Sequence, residues 1–190
     1  MNHHTKVLAI VTNHGVEQDE LLVPVRHLRD DGVHVDIAAP SRDDIRTLVG
    51  DEQPGETVEP THTLDEVDAA DYDLLLVPGG TLNADALRTH RKAVDLVLAF
   101  TTSGRPVAAI CHGPWLLVES GVVYGKELTS YPSLRTDLAN AGANWTDAAL
   151  VTDDENGWRL ITSRTPADLD QFLRGIDAAL KVRAATADRG

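Results

Sequence analysis

Arg105-Pro106-Val107-Ala108-Ala109-Ile110-Cys111-His112-Gly113-Pro114 contains the single cysteine of this 190-residue chain. Residues 105–110 predict a buried strand, because they are small or β-branched and follow a proline near the strand start. Gly113-Pro114 breaks the strand, and residues 115–120 predict a helix that ends at Gly121. A side chain on such a turn stands above the sheet edge on a strained backbone, beside the free N–H groups of the helix start. The stretch therefore predicts an α/β fold with a nucleophile elbow.

Two interpretations of Cys111 follow from this position. The N–H groups and the helix dipole favour the reactive thiolate, and His112 is placed to act as its base. Free cysteine is, however, often a buried small hydrophobe. The adjacent histidine and the Gly113-Pro114 break favour the nucleophile, because a core residue needs neither.

Strands and helices alternate outward from Cys111, which is typical of a mainly parallel sheet covered by helices. Strands are predicted at residues 6–12, 33–38, 73–77, 105–110 and 128–130. Helices are predicted at 19–31, 83–103 in one or two pieces, 115–120, 133–141 and 166–182. Residues 41–63 predict a polar hairpin or loop, and residues 149–152 and 158–163 predict a hairpin around Asn156-Gly157. Because the chain shows neither a repeat nor a linker, we expect one domain over residues 1–190, with its core at about 6–182.

The composition excludes several classes of function. Hydrophobic residues make up 42% and charged residues 25%, and the net charge is −13, which disfavours nucleic acid and anionic membranes as partners. No apolar run approaches the roughly 20 residues of a membrane span. Residues 1–6 lack the shape of a signal peptide, and one cysteine forms no internal disulfide, so we expect a cytoplasmic protein.

The sequence also predicts that the protein uses neither a metal nor a cofactor. It contains no G-x-G-x-x-G fingerprint and no Walker A motif. The spacing typical of metal ligands is missing among His3, His4, His27, His34, His62 and His90.

Three predicted strands end in residues suited to chemistry. The first runs into residues 13–20, which contain Glu17 and Glu20, the third into Pro78-Gly79-Gly80, and the fourth into Cys111. Ligands in open α/β sheets bind beyond the carboxyl ends of the strands. A nucleophile, a carboxylate and a glycine-rich turn at one edge suit acyl-transfer or carbonyl chemistry. The glycines could equally form an ordinary tight turn, and the two acids could be solvated helix-start residues.

These motifs resemble the PfpI family of the DJ-one/PfpI superfamily. The resemblance rests on residues 107–117 and on Leu75-Leu76-Val77-Pro78-Gly79-Gly80, with further matches at 129–133, 140–143 and 162–169. It spans about residues 7–180. It implies a flavodoxin-like three-layer α/β sandwich and a homo-oligomer, either a dimer or a hexamer. The activities it implies are those of a cysteine peptidase, of a glyoxalase or deglycase acting on methylglyoxal or glyoxal adducts, and of stress proteins or chaperones.

The resemblance also implies roles for individual residues. Cys111 would be the nucleophile, His112 its base, and Glu20 the carboxylate that hydrogen-bonds the cysteine. The oxyanion and substrate would be held by Gly79, Gly80 and Gly113, with the N–H of His112. Glu17 matches an acid that we expect at a subunit interface. PfpI-type peptidases complete a triad with a carboxylate from a neighbouring subunit, shortly after Pro-Gly-Gly. Asp85 is the candidate here, but it aligns only with a one-residue insertion, which weakens the peptidase interpretation most.

The sequence therefore predicts a stress-related, cysteine-dependent hydrolase. Its substrate would be a small carbonyl compound, a glycated adduct or a peptide. The alternative is a redox-sensing or chaperone-like protein without significant turnover, because an accessible thiolate beside a carboxylate also suits oxidation. Ammonia production of the glutamine-amidotransferase type is disfavoured, since its histidine is usually distant from the cysteine in sequence and its synthase domain is missing here.

Overall fold

The computed structural model describes residues 5–187, and the side chains of residues 5–181. Its strands are β1 (Lys6–Ile10), β2 (His14–Glu17), β3 (His34–Ala39), β4 (Ile45–Val49), β5 (Gln53–Val58), β6 (His62–Thr63), β7 (Leu74–Val77), β8 (Val107–Ile110), β9 (Glu127–Leu128), β10 (Asn144–Trp145), β11 (Val151–Asp153) and β12 (Leu160–Ser163). Its α-helices are α1 (Gln18–Asp30), α2 (Thr81–Arg88), α3 (Arg91–Thr102), α4 (Pro114–Glu119), α5 (Arg135–Asn140) and α6 (Leu169–Ala187). Short 3-10 turns lie at Leu64–Glu66, Ala69–Asp71, Pro132–Leu134, Glu155–Gly157 and Pro166–Asp168.

Seven strands form the central sheet in the order β11-β12-β8-β7-β1-β3-β6. All neighbours are parallel except β11, which runs antiparallel to β12. Numbered along the chain, the five main parallel strands β1, β3, β7, β8 and β12 have the order 2-1-3-4-5. This is the flavodoxin-like order, in which ligands bind at the carboxyl ends beside the first strand. The predicted α/β fold with a mainly parallel sheet is confirmed.

Helices cover both faces of the sheet. Leu8 and Ile10 of β1 point into a core with α3 and α4, whereas Val7 and Ala9 point into a second core with α1 and α6. Parallel strands that are buried on both faces have continuous apolar sequences, because both sets of alternating side chains lie in a core. This explains the apolar runs that predict these strands. The arrangement is the expected three-layer sandwich.

The predicted hairpin within residues 41–63 consists of β4 and β5. It joins β2 in a separate three-stranded sheet, in the order β2-β4-β5. Strand β2 was not predicted, and it directly precedes α1. The sheet therefore places the turn between β4 and β5 beside the start of α1.

One helix prediction left two arrangements open, and another differs from the structure in where the helix begins. The segment 83–103 forms two helices, α2 and α3, which is one of the two arrangements expected for it. Pro166 opens a 3-10 turn instead of the last helix, and α6 begins at Leu169. None of the helices described is both long and apolar enough to cross a bilayer. The predictions for residues 1–4, and for the ends of the expected domain, lie outside the described residues.

Candidate active site

Cys111 occupies a strained turn between β8 and α4. Its φ is +60°, in the left-handed region that residues with a side chain seldom adopt, at a cost of about 1–3 kcal/mol. Two backbone hydrogen bonds hold this conformation. The Cys111 N–H donates to the Ser163 carbonyl at 3.1 Å, and the Cys111 carbonyl accepts from the Tyr131 N–H at 2.9 Å. The residue is only 5% exposed. The Cys111 backbone is therefore held from both sides, and the residue is largely shielded from water.

Glu20, in the first turn of α1, lies beside the sulfur. Its side chain is fully buried, and Oε2 accepts the Gly79 N–H at 2.9 Å. Burial raises the pKa of Glu20 to about 8, although a hydrogen bond with Cys111 lowers it and nearby Glu17 raises it again. At neutral pH, Glu20 is thus a protonated acid beside the sulfur.

His112 lies on the other side of the sulfur. Its Nδ1 is 3.2 Å from Cys111 Sγ. The ring stacks on Tyr131, with centroids 4.6 Å apart, and is tilted against Trp115 at 5.3 Å. Burial lowers the pKa of His112, and Asp51 acts in the opposite direction. The imidazole is therefore neutral at neutral pH and able to accept a proton from the thiol.

The electrostatics of Cys111 differ from the expectation based on the helix start. Burial raises the pKa of the Cys111 thiol, and an ionised Glu20 raises it further, whereas the amides of Gly80 and His112 lower it. Because Glu20 is protonated below about pH 8, burial is the main cause of the raised thiol pKa at neutral pH. The strand-to-helix pattern predicts only the effect of the amides and the helix dipole, both of which favour the thiolate. Formation of the thiolate thus depends on transfer of the proton to a base.

The predicted oxyanion glycines have different environments. The Gly80 amide interacts with the sulfur, as does that of His112. The Gly79 amide is engaged by Glu20, and the Gly113 amide donates to the Ile110 carbonyl at 2.9 Å. A Cβ atom on residue 79 or 113 would lie 2.5 Å from a neighbouring oxygen, so both glycines allow close packing. The donors directed at Cys111 belong to Gly80 and His112.

Asp85 and Glu17 lie apart from His112 in the described chain. The Asp85 side chain is 62% exposed and pairs with Arg88 at 2.9 Å, so its role across a subunit interface stays a prediction. Glu17 is buried, and its carboxylate accepts the amides of Gly50 and Asp51 at 3.0 and 3.1 Å. Within one chain, Glu17 fixes the turn between β4 and β5.

Three polar residues near His112 were not assigned a role from the sequence. His112 Nε2 lies 3.4 Å from the hydroxyls of both Thr81 and Ser133. Thr81 in turn donates to Asp51, with Oγ1 2.8 Å from Oδ2. Thr81 directly follows Pro78-Gly79-Gly80, and this position is a sequence signal from which a role near the site could have been predicted. Asp51 lies in the segment 41–63, which the sequence predicts only as a polar hairpin or loop.

A second group of polar side chains lies between α1 and α6. The ligand atoms of His27, Asp31 and Asp177 are all within 4.8 Å of one another, and His27 Nε2 is 3.0 Å from Asp177 Oδ1. These contacts describe a cluster of polar side chains that joins the two helices. The expectation of no metal stays a prediction, and His3 and His4 lie outside the described residues.

Comparison with known proteins gives consistent matches. Residues 5–178 match the DJ-1/PfpI family. The chain is 38% identical over 176 residues to Deglycase PH1704 of Pyrococcus horikoshii, covering 93% of this chain and 99% of that one. It is 36% identical to the Putative cysteine protease YraA of Bacillus subtilis, over 90% and 95% of the two chains. The crystal structure of Drosophila melanogaster DJ-1beta superposes with a TM-score of 0.80 at 29% identity, over 98% and 96%.

The family match covers most of the chain, and the elbow cysteine, its histidine and the buried glutamate lie together at one site. The chain belongs to the DJ-1/PfpI family.

Proposed function

We propose that the protein is a cysteine-dependent hydrolase that acts on small carbonyl compounds or their adducts, of the deglycase or glyoxalase type. One observation carries the proposal. Cys111 Sγ lies 3.2 Å from Nδ1 of a neutral histidine, beside a buried and protonated glutamate. This combination supplies a nucleophile, a base and an acid around one sulfur. The name of the relative Deglycase PH1704 supports the same class.

The first step follows from this geometry. His112 Nδ1 takes the thiol proton, and the sulfur attacks the carbonyl carbon to form a C–S bond. The π electrons of the carbonyl move to its oxygen, near the amides of Gly80 and His112. Glu20 then gives its proton to that oxygen, which yields a neutral hemithioacetal.

In the adduct of a 2-oxoaldehyde, ionised Glu20 moves the proton of the former carbonyl carbon to the adjacent carbon, while the hydroxyl proton passes to the adjacent oxygen, which gives a thioester. Water then attacks the thioester carbonyl carbon and the C–S bond breaks to release a hydroxy acid. The acid returns a proton to Glu20, and His112 returns its proton to the sulfur.

The burial of Cys111 favours small substrates over peptides. With 5% of the residue exposed, the sulfur has little room for an extended chain, whereas a small carbonyl compound needs access to one atom only. The peptidase alternative, which the name of YraA suggests, also needs an acid that orients the histidine from a neighbouring subunit. Asp85 is instead paired with Arg88 in its own chain.

A redox role is the second candidate, because the lone cysteine has a protonated carboxyl group beside it. A sulfinate at Cys111 would accept a hydrogen bond from Glu20, which would stabilise it. Mild peroxide followed by intact-mass measurement tests this role. Stable addition of two oxygens, without turnover of carbonyl substrates, would favour it over the hydrolase.

We also propose a cytoplasmic homo-oligomer with a role in stress, either a dimer or a hexamer, without nucleic acid or membrane partners. A cysteine that remains free suits a reducing compartment, and the strongly acidic chain suits neither kind of partner. The oligomer rests on the family resemblance.

The decisive experiment measures turnover of methylglyoxal and of a fluorogenic peptide by wild type and Cys111→Ala, with oligomer size recorded in the same buffer. Ser120→Ala is the matched control, since it removes one buried polar atom from the end of α4. Loss of methylglyoxal turnover in Cys111→Ala alone supports the proposal. Retention of most of the turnover in that variant refutes it, and peptide cleavage confined to a larger oligomer favours the peptidase.

A further inference from the structure

The hydrogen bonds of His112 determine which of its nitrogens carries the proton. Nδ1 faces Cys111 Sγ at 3.2 Å, so it must offer a lone pair if it is to accept the thiol proton. In the neutral ring, Nε2 then carries the hydrogen and requires an acceptor. The acceptors within reach are the hydroxyls of Thr81 and Ser133, each at 3.4 Å. Ser133 is exposed to solvent, whereas Thr81 is half-buried, so Thr81 is the better-defined partner.

Asp51 sets the direction of the Thr81 hydroxyl. Thr81 Oγ1 has one hydrogen and lies 2.8 Å from Asp51 Oδ2, while the Thr81 amide donates to Oδ1 at 2.8 Å. An ionised carboxylate only accepts hydrogen bonds, so the hydroxyl must donate to Asp51. Its lone pairs are then left for Nε2–H of His112. The hydrogen bonds therefore run in one direction, from His112 through Thr81 to Asp51.

Asp51 is itself held in place by the chain. It adopts a left-handed conformation with φ of +60°, and its amide donates to buried Glu17, as does the amide of Gly50. The turn between β4 and β5 is thus attached to the start of α1 through Glu17 and to the start of α2 through Thr81. A strained residue held by several hydrogen bonds often marks a functional position.

We infer that Thr81 and Asp51 are positioning residues for His112, which orient the ring with its lone pair toward Cys111 and stabilise the imidazolium formed on proton transfer. This inference rests on the proposed function and adds to it an acid supplied by the same chain. Asp51 then takes the part that the family resemblance led us to expect from Asp85 of a neighbouring subunit. An acid that acts through one hydroxyl replaces the direct acid–histidine contact of a standard triad.

The test uses the rate at which iodoacetamide alkylates Cys111, measured across pH. Because Cys111 is the only cysteine, the reaction reports on one sulfur and needs no substrate. The titratable groups beside His112 are Cys111, Asp51 and Tyr131, whose ring stacks on the imidazole. Trp115 contacts the imidazole and has the Arg88 guanidinium 5.0 Å from its own ring centroid. Glu20 acts on the sulfur.

We expect Asp51→Asn and Thr81→Val each to slow alkylation of Cys111 at pH 7. The kcat for methylglyoxal should fall as well, while its KM changes little. The expected loss is about 10- to 100-fold, the range seen when a group that orients a functional histidine is removed. Asp51→Asn also moves the acid limb of the profile to lower pH, since the carboxylate raises the pKa of His112. Asparagine tolerates the left-handed backbone at this position.

Three further variants separate positioning from a structural role. Thr81→Ser keeps the hydroxyl and restores the wild-type profile. The double variant Thr81→Val/Asp51→Asn is no slower than the slower single variant, because the two residues act in series. Glu52→Gln removes the same charge at the next, exposed residue and leaves the profile unchanged.

Wild-type alkylation profiles in folded Asp51→Asn and Thr81→Val would overturn the inference. The inference would also be overturned if Asp85→Asn slowed alkylation only in an oligomer and Asp51→Asn left the alkylation rate unchanged. The acid would then come from a neighbouring subunit. Failure of the proposed function is seen separately, as methylglyoxal turnover that persists in Cys111→Ala. The alkylation profiles report on Thr81 and Asp51 in either case.

Discussion

The Gly79 amide donates to Oε2 of Glu20 at 2.9 Å, and Gly79 fills the gap between that carboxyl group and Cys111. A Cβ atom on residue 79 would lie 2.5 Å from Glu20 Oε2 and 2.7 Å from Cys111 Cβ. The contact between acid and nucleophile therefore depends on the missing side chain at this position. Close approach, and not backbone flexibility, explains why glycine is needed there.

Gly79→Ala is accordingly expected to separate Glu20 from Cys111. We expect methylglyoxal turnover to fall by about 100-fold or more, because the acid no longer reaches the reacting atoms. Overpacking of the buried site should also lower the free energy of unfolding by about 1–3 kcal/mol. Turnover assays and urea denaturation measure the two effects.

Gly32→Ala is the matched control for this variant. Gly32 has a φ of +79°, and a Cβ atom on residue 32 would have open space around it to at least 4 Å. Alanine there therefore adds only backbone strain of about 1 kcal/mol. Turnover should be unaffected. Equal activity of Gly79→Ala and Gly32→Ala would contradict the steric explanation.

The free energy of unfolding of the wild type should fall as the pH rises from about 5 to 8, when it is measured against that of Glu20→Gln at each pH. The folded chain keeps the Glu20 proton up to about pH 8, whereas the unfolded chain loses it near the ordinary pKa of 4.5. The folded state binds more protons in this window, so its stability decreases with pH, by at most about 1.4 kcal/mol per unit. Urea denaturation at a series of pH values gives the difference, and parallel curves for the two proteins would show that Glu20 is ionised when folded.

Much of this site could be predicted because three of its parts follow parallel strands. Cys111 and Gly79 come after β8 and β7, and Glu20 belongs to the segment 13–20 that follows β1. Neighbouring parallel strands bring their carboxyl ends to one edge. Asp51 could not be found in this way, since it lies in the turn of a hairpin outside the main sheet. Its position depends on two amide contacts with Glu17, and no spacing in the sequence predicts such contacts.

The thiol pKa was mispredicted for a related reason. The strand-to-helix pattern correctly located Cys111, but burial depends on how α1 and the turn after β7 close over the sulfur. That tertiary packing raises the thiol pKa against the influence of nearby amides. A local sequence pattern contains no information on it.

Glu20→Gln should also separate reactivity of the thiol from turnover. Above pH 8 an ionised Glu20 raises the pKa of Cys111, and the neutral glutamine removes this effect. We therefore expect faster alkylation at pH 9 than in wild type. Methylglyoxal turnover at pH 7 should nevertheless fall by about 100-fold or more, because glutamine has no proton to give to the oxyanion. Asp19→Asn, at an exposed position of the same helical turn, is the control, and parallel loss of alkylation and turnover would contradict the assigned role of an acid.

Lys126 should be the largest electrostatic contributor to stability away from the active site. It is fully buried, and its ammonium group donates to Asp153 Oδ1 at 3.0 Å, to the Trp158 carbonyl at 2.8 Å and to the Glu155 carbonyl. Lys126→Met leaves the Asp153 carboxylate buried without its cation. We therefore expect the free energy of unfolding to fall by about 3–5 kcal/mol at pH 7. Urea denaturation measures this change.

Removal of both charges should cost less than removal of the cation alone. In Lys126→Met/Asp153→Asn, the asparagine oxygen can accept the amide of only one of Glu127 and Glu155. No unpaired charge is buried, however, so part of the lost stability returns. Lys181→Met, at an exposed position of α6, should change stability by less than about 0.5 kcal/mol. If Lys126→Met is no more destabilising than Lys181→Met, the buried ion pair contributes nothing to the fold, and packing around Trp158 must account for the burial of Lys126.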